Sequence, residues 1–139
     1  MKGKQVTIGI VVSEFNEGIT KKMLETALQH AEKMGAKVEK VIKVPGAYDM
    51  PLAVKKLLRQ KNIQGVATIG AIIKGETSHD EVIAHATAKM LSYLSLEFEK
   101  PVALGVSGHG QTWGLASARA ESYAKRSIDA VVKMVKALE

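Results

Sequence analysis

The chain has little of what several functional classes require. None of its 139 residues is cysteine, which excludes disulfide bridges and thiolate metal sites and fits a reducing compartment. Aromatic residues make up only 4% and the 20 Lys and Arg residues are scattered, whereas nucleic-acid-binding proteins typically cluster basic charge and supply stacking rings. No apolar run approaches the roughly 20 residues of a membrane span. We expect neither a nucleic-acid nor a membrane partner, and a cytoplasmic location.

The composition of the chain fits one globular domain over residues 1–139. Hydrophobic residues account for 46% of the chain, enough for a sizeable core at this length. The net charge of +6 is compatible with a small anionic substrate.

Short β-branched runs alternate with longer segments of helical period. The strands are predicted at 6–12, 36–44, 65–73 and 101–107, and the helices at 19–35, 52–62, 78–100 and from about 113 to 139. A break in the last helix is considered near Glu121 and Ser122. Four such units predict an α/β fold with a parallel sheet and helices on both faces.

The polar and glycine-bearing loops follow the predicted strands. Their sequences are SEFNEGI, PGAYDMP, KGETSH and SGHGQT. Because ligands of parallel α/β sheets bind beyond the carboxyl ends of the strands, these loops indicate the site.

The stretch GETSHDEVIAHA (75–86) holds two of the four histidines and suggests three kinds of site. His79 and His85 are six apart, about 600° around a helix, so the pair is unsuited to a metal and no metal site is expected. Ser78 and Glu81 have the spacing of a capping box, which predicts that the helix starts there. Helix capping does not explain a histidine at position 79, so a role of His79 in proton transfer is favoured. His85 is expected on the helix surface.

Other candidates each have a plain structural alternative. Phe15 offers a flat surface for a planar ring or packs as a staple on the next helix. Asp49 accepts hydrogen bonds from sugar hydroxyls or caps its own loop. Arg119 and the pair Lys125 and Arg126 bind phosphate or form a solvated face, and the sequence alone favours the solvated face.

Taken together, four segments resemble one family. SEFNEGIT, VPGAYDMPLAVKKL, TIGAIIKGETSHDEV and KPVALGVS, in this order and spacing, are similar to lumazine synthases, and GETSHDE and SGHGQT look most like the archaeal branch. The resemblance implies a three-layer αβα, flavodoxin-like fold with a four-stranded parallel sheet in order 2-1-3-4. It also implies homopentamers, sometimes assembled into sixty-subunit shells, with active sites between neighbouring subunits.

The reaction that the resemblance implies condenses 5-amino-6-(D-ribitylamino)uracil with 3,4-dihydroxy-2-butanone 4-phosphate, without a metal or organic cofactor. His79 would transfer protons. The pyrimidine and its ribityl chain would contact Phe15, Ala47, Tyr48, Asp49, Ile72 and Ile73, with Leu104 supplied by the adjacent subunit. The phosphate would contact Gly75, Glu76 and Thr77, with Arg119 again from the adjacent subunit.

Three departures from the family pattern concern the phosphate subsite and the ring contact. Glu76 stands where small residues are common, Leu104 where many members have an aromatic ring, and SGHG where hydroxyl residues are usual. The family lysine falls at Lys125 or Arg126, and no role is assigned to His109. Two alternatives stay open, an archaeal-type riboflavin synthase that dismutates lumazine and a non-catalytic shell or binding protein of the same fold.

Overall fold

The computed structural model describes residues 5–75 and 78–139. Within them, strands and helices alternate along the chain. The strands are β1 (Thr7–Ser13), β2 (Lys37–Val44), β3 (Gly65–Ile69) and β4 (Val102–Ala103). The helices are α1 (Glu17–Lys33), α2 (Met50–Leu58), α3 (His79–Phe98) and α4 (Trp113–Ala137), and a 3-10 turn at Ala47–Asp49 precedes α2.

The four strands form one parallel sheet in the order β2-β1-β3-β4, as the resemblance implies. The burial of the two central strands, β1 and β3, explains their sequence pattern. All of β3 and all but the first residue of β1 are buried, because helices cover both faces and an uninterrupted apolar run satisfies both. The edge strand β2 instead alternates charged and apolar residues.

Two hydrophobic clusters fill the space on either side of the sheet. One joins α1 and α4 to the sheet through residues such as Met23, Ile10 and Ile128. The other joins α2 and α3 to the opposite face through residues such as Val54 and Leu91. The result is the three-layer, flavodoxin-like arrangement.

The last helix differs from one expectation. It runs without a break through Glu121 and Ser122. Ala116, Ala120 and Ala124 are buried at helical spacing on either side of that position, so the buried face continues across it.

The fourth strand is shorter than the predicted 101–107. Its ladder stops at Ala103, and only an isolated bridge between Gly70 and Val106 continues the pairing. Between Ala103 and Val106 the Thr68 hydroxyl takes the place of the backbone hydrogen-bond ladder. It donates a hydrogen bond of 2.7 Å to the Ala103 carbonyl and accepts one of 3.3 Å from the Gly105 N–H.

Over the described ranges, no helix combines the length and apolar character needed to cross a membrane.

Candidate active site

A cleft of about 400 Å³ opens at the carboxyl edge of the sheet. The loops after β1, β2 and β3 and the first turn of α3 form its walls. Seven predicted site residues line it together: Phe15, Ala47, Tyr48, Ile72, Ile73, Gly75 and His79. A larger cavity of about 510 Å³ lies near the start of β4, between α3 and α4, but its walls include no predicted site residue among those described. The smaller cleft is therefore the candidate site.

Backbone hydrogen bonds hold Phe15 at the mouth of the cleft. The N–H of Glu14 donates to the Val44 carbonyl at 2.7 Å, and the N–H of Phe15 donates to the Pro45 carbonyl at 2.9 Å. These bonds continue the β1–β2 pairing beyond the strands. The Phe15 residue is 70% exposed, so the alternative of a staple buried against α1 does not apply. Its ring is available to a flat ligand.

Asn16 is a positioning residue that the sequence reasoning missed. Its φ of 63° is left-handed, a conformation that Asn adopts more readily than most residues, and its carbonyl accepts hydrogen bonds from Ile19 and Thr20 at the start of α1. Its side-chain Nδ2 donates to the Ala71 carbonyl at 2.9 Å. One residue thus turns the chain into α1 and ties the Phe15 loop to the segment after β3.

Asp49 closes its own turn. The carboxylate Oδ2 accepts a hydrogen bond of 3.1 Å from the Gly46 N–H, as in the loop-cap alternative. Asp49 is exposed and lies outside the cleft lining, whereas Ala47 and the 70%-exposed Tyr48 lie within it. Contact between Asp49 and a sugar hydroxyl stays a prediction.

Ser107 fixes the position of Ile72. Its hydroxyl accepts a hydrogen bond of 2.7 Å from the Ile72 N–H and donates one of 3.1 Å to the Ile72 carbonyl, and both bonds are buried. The Ile72 N–H is therefore engaged within the protein. Its carbonyl keeps a second lone pair, and the Ile73 backbone is the neighbouring group that a ring edge can meet.

The start of α3 does not form the predicted capping box. Ser78 occupies the N-cap position, but its side chain makes no capping hydrogen bond within the described part of the chain. Asp80 connects this turn to the rest of the protein, since its Oδ2 accepts a hydrogen bond of 2.8 Å from the Gly110 N–H. That bond lowers the pKa of Asp80 below its usual value, helped by the backbone N–H groups of residues 80 and 81 and by nearby His109.

His79 is the first residue of α3 and lines the cleft from its exposed side. It therefore shares one cleft with residues of the three strand-end loops. Its position agrees with the proton-transfer role predicted from its place after the third strand.

Comparison with known proteins decides the family. The sequence model of 6,7-dimethyl-8-ribityllumazine synthase matches residues 5–139. The chain belongs to the 6,7-dimethyl-8-ribityllumazine synthase family. Relatives carrying that name are 54% identical in Saccharolobus islandicus and 52% in Sulfolobus acidocaldarius, each over 97% of this chain and 88% and 85% of their own. The relative from Metallosphaera sedula is 50% identical over 98% of this chain and 90% of its own.

These matches confirm the resemblance read from the four sequence segments. They also agree with the observed sheet order and layers. None of the matches favours the riboflavin synthase or the non-catalytic alternative.

Three predicted site residues lie outside the cleft lining of the same chain: Asp49, described above, Leu104 and Arg119. Leu104 is 53% exposed and borders a separate cavity of about 170 Å³, which shares Ile72 with the cleft. Arg119 is exposed on α4 and does not line the cleft. Lys125 and Arg126, also on α4, are exposed too. Glu76 and Thr77 lie outside the described residues.

Proposed function

We propose that the carboxyl-edge cleft is where this lumazine synthase carries out its reaction. The enzyme, a transferase of riboflavin biosynthesis, condenses 5-amino-6-(D-ribitylamino)uracil with 3,4-dihydroxy-2-butanone 4-phosphate. The products are 6,7-dimethyl-8-ribityllumazine, phosphate and water. The observation that carries the proposal is the convergence of seven predicted site residues, from four separate segments, on one cleft.

The aminouracil occupies the part of the cleft between Phe15 and the segment after β3. The exposed Phe15 ring stacks on the pyrimidine, and the Ile73 backbone and the second lone pair of the Ile72 carbonyl meet its edge. The ribityl chain lies along the 3-10 turn, against Ala47, the backbone at Tyr48 and the Asp49 carboxylate. A mainly apolar cleft with few polar groups at its edges fits a planar ring that carries a polyol.

The phosphate of the second substrate lies near Gly75, next to Glu76 and Thr77. A Cβ built on Gly75 meets no described atom within 4 Å, so the backbone is open to a ligand. Arg119 of a neighbouring subunit supplies the positive charge, and Lys125 or Arg126 adds to it.

His79 transfers protons during the condensation. An amine attacks the ketone, water leaves to give an imine, phosphate is eliminated, and a second amine–carbonyl condensation closes the ring. Each step moves a proton, and an imidazole both accepts and donates one near neutral pH. Holding two small reactants together supplies much of the remaining acceleration, so the reaction needs no metal or organic cofactor.

The complete site forms between neighbouring copies of this single-domain chain in a cytoplasmic homopentamer, which can assemble further into a sixty-subunit shell. The support is the position of Leu104 and Arg119, which lie outside the cleft of their own chain and are exposed. Other large apolar residues, among them Leu52 and Leu96, are also exposed and are suited to contacts between subunits.

A product assay tests the reaction. The purified protein is incubated with the two substrates and, separately, with 6,7-dimethyl-8-ribityllumazine alone. Lumazine formed together with an equal amount of phosphate supports the proposal. Riboflavin formed from lumazine alone, with no lumazine from the two substrates, overturns it.

A mixing experiment tests the shared site. His79→Ala and Arg119→Ala chains are inactive or weak alone, but mixed oligomers contain some sites with both residues intact. Random mixing of equal amounts restores about a quarter of the wild-type activity per chain if each site draws on two subunits. Activity per chain equal to the average of the two variants measured separately contradicts a site between subunits.

A further inference from the structure

Glu81, His85 and His109 form a cluster outside the substrate cleft. Glu81 and His85 are four residues apart on α3 and therefore lie on one face, with 3.9 Å between Glu81 Oε1 and His85 Nε2. The ring centroids of His85 and His109 are 5.1 Å apart, at an interplanar angle of 47°. The spacing argument against a metal at His79 and His85 does not cover this set, because His109 comes from the loop after β4.

Two hydrogen bonds hold the His109 loop against the rest of the protein. Gly110, directly after His109, donates its N–H to Asp80 in the first turn of α3 at 2.8 Å. Gln111 accepts a hydrogen bond of 2.7 Å at its carbonyl from the Lys74 N–H. The left-handed φ of 79° at Gly110 turns the chain between these two contacts. His109 is thus placed beside α3 by the fold itself.

The three side chains offer the ligand set of a transition-metal site. Each supplies one imidazole nitrogen or carboxylate oxygen, and these atoms all lie within 4.8 Å of one another. Ligands of a tetrahedral zinc ion, at bonds of about 2.0–2.1 Å, are roughly 3.4 Å apart. All three residues are exposed, so rotation of their side chains can close the remaining gap. Two imidazoles favour zinc and similar ions over magnesium or calcium, which prefer oxygen ligands.

We propose that Glu81, His85 and His109 bind one divalent transition-metal ion per chain, with zinc as the reference ion. Water completes the coordination. The ion joins α3 to the loop that follows β4, and so adds a second link beside the Asp80–Gly110 hydrogen bond. His85 and His109 border the small cavity at Leu104, and the cleft lining of the same chain includes neither of them.

Metal titration of the full-length protein tests this proposal. The protein is prepared without a histidine tag, stripped with a chelator and titrated with Zn²⁺ by calorimetry and by competition with a chromophoric chelator. We expect one ion per chain. His85→Ala and His109→Ala each weaken binding by about tenfold to a hundredfold or more, since each removes one of three protein ligands. Glu81→Gln weakens it too, because the neutral amide is a poorer ligand.

His30→Ala is the matched control. His30 lies on α1, where its Nε2 is 2.7 Å from Asp129 of α4, and it belongs to neither the cluster nor the cleft. Its replacement leaves zinc affinity unchanged. Equal affinity in the wild type and the His109→Ala variant overturns the proposal, as does a stoichiometry well below one ion per chain.

Co²⁺ substitution provides a second readout that reports geometry. Cobalt held by the three residues and water in a four-coordinate site gives strong visible absorption, which the His85→Ala/His109→Ala double variant loses. The same spectrum in the double variant assigns the metal to other surface groups and contradicts the site. The Co²⁺ spectrum and the Zn²⁺ stoichiometry do not depend on enzyme activity.

Discussion

Asp80 accepts a hydrogen bond of 2.8 Å from the backbone N–H of Gly110, thirty residues further along the chain. This contact joins the helix that begins with His79 to the loop that carries His109. Asp80 also lines the carboxyl-edge cleft, so the same residue connects the cleft wall to the proposed metal cluster.

The protonation of Asp80 gives a prediction about pH. Its pKa in the folded protein is below the ordinary value of 3.8, chiefly because the Gly110 N–H stabilises the carboxylate. A group with a depressed folded pKa contributes stability above its unfolded pKa and loses that contribution as pH falls through the folded pKa. The Gly110 amide resonance, followed by NMR from neutral to strongly acidic pH, should therefore shift with a midpoint below 3.8. A midpoint at or above that value contradicts the bond, and Asp80→Asn should abolish the transition.

Replacement of Asn16 separates its two roles. Asn16→Ala and Asn16→Gly both lose the hydrogen bond to the Ala71 carbonyl, but glycine tolerates the φ of 63° and alanine does not. We expect Asn16→Ala to be less stable than Asn16→Gly by about 1–2 kcal/mol in denaturant unfolding. Equal stability of the two variants would show that the left-handed conformation is not retained in solution.

Gly105 is required by a close approach of the backbone. A Cβ at this position would lie 2.3 Å from the Thr68 carbonyl oxygen and 2.7 Å from the Ser127 Cβ. Both are buried, so Gly105→Ala should destabilise the fold by about 3 kcal/mol or more. Gly108→Ala is the matched control three residues away, where a Cβ meets no described atom within 4 Å. Similar unfolding free energies for the two variants would contradict the packing around Thr68.

The proposed stacking role of Phe15 has a clear kinetic signature. Phe15→Leu keeps an apolar side chain but loses the flat ring, and should raise the KM for the aminouracil by roughly tenfold, since stacking on an aromatic ring contributes about 1–3 kcal/mol per base. Phe15→Tyr should stay near the wild type, and the KM for the phosphate substrate should change less in either variant. Because Phe15 is largely exposed, the unfolding free energy should hardly change. An unchanged aminouracil KM in Phe15→Leu rules the stacking out.

The architecture was predictable because its signals are local and repeated. Four apolar runs separated by helical periods predict a parallel sheet, which the structure confirms. The loops after the strands were expected to form the site, and the cleft lined by Phe15, Tyr48 and His79 lies at those loops. The sheet order 2-1-3-4 was implied by the resemblance to a family, not by periodicity.

The errors arise where long-range contacts replace local rules. Ser78 and Glu81 have capping-box spacing, yet Asp80 makes the important contact, to a loop thirty residues away. The predicted strand 101–107 is cut short by the Thr68 side chain, which takes over the hydrogen bonds of Ala103 and Gly105. Neither contact can be read from spacing along the chain.

The same limitation concealed Asn16 and the histidine cluster. A left-handed asparagine before a helix is a weak signal, and its bond to Ala71 spans 55 positions of sequence. His85 and His109 become neighbours only because the loop after β4 folds back onto α3.

The central claim is that the condensation takes place in this cleft with His79 as the proton carrier. The most direct test is the turnover of His79→Ala in the two-substrate assay, with His30→Ala as the control. The oligomer mass of each variant is measured to show that assembly is intact. We predict that His79→Ala lowers kcat by about 10²-fold, the lower end of the range for a general acid–base, because proximity of the reactants is preserved. His30→Ala should keep the wild-type rate. Wild-type turnover by an intact oligomer of His79→Ala would contradict the account.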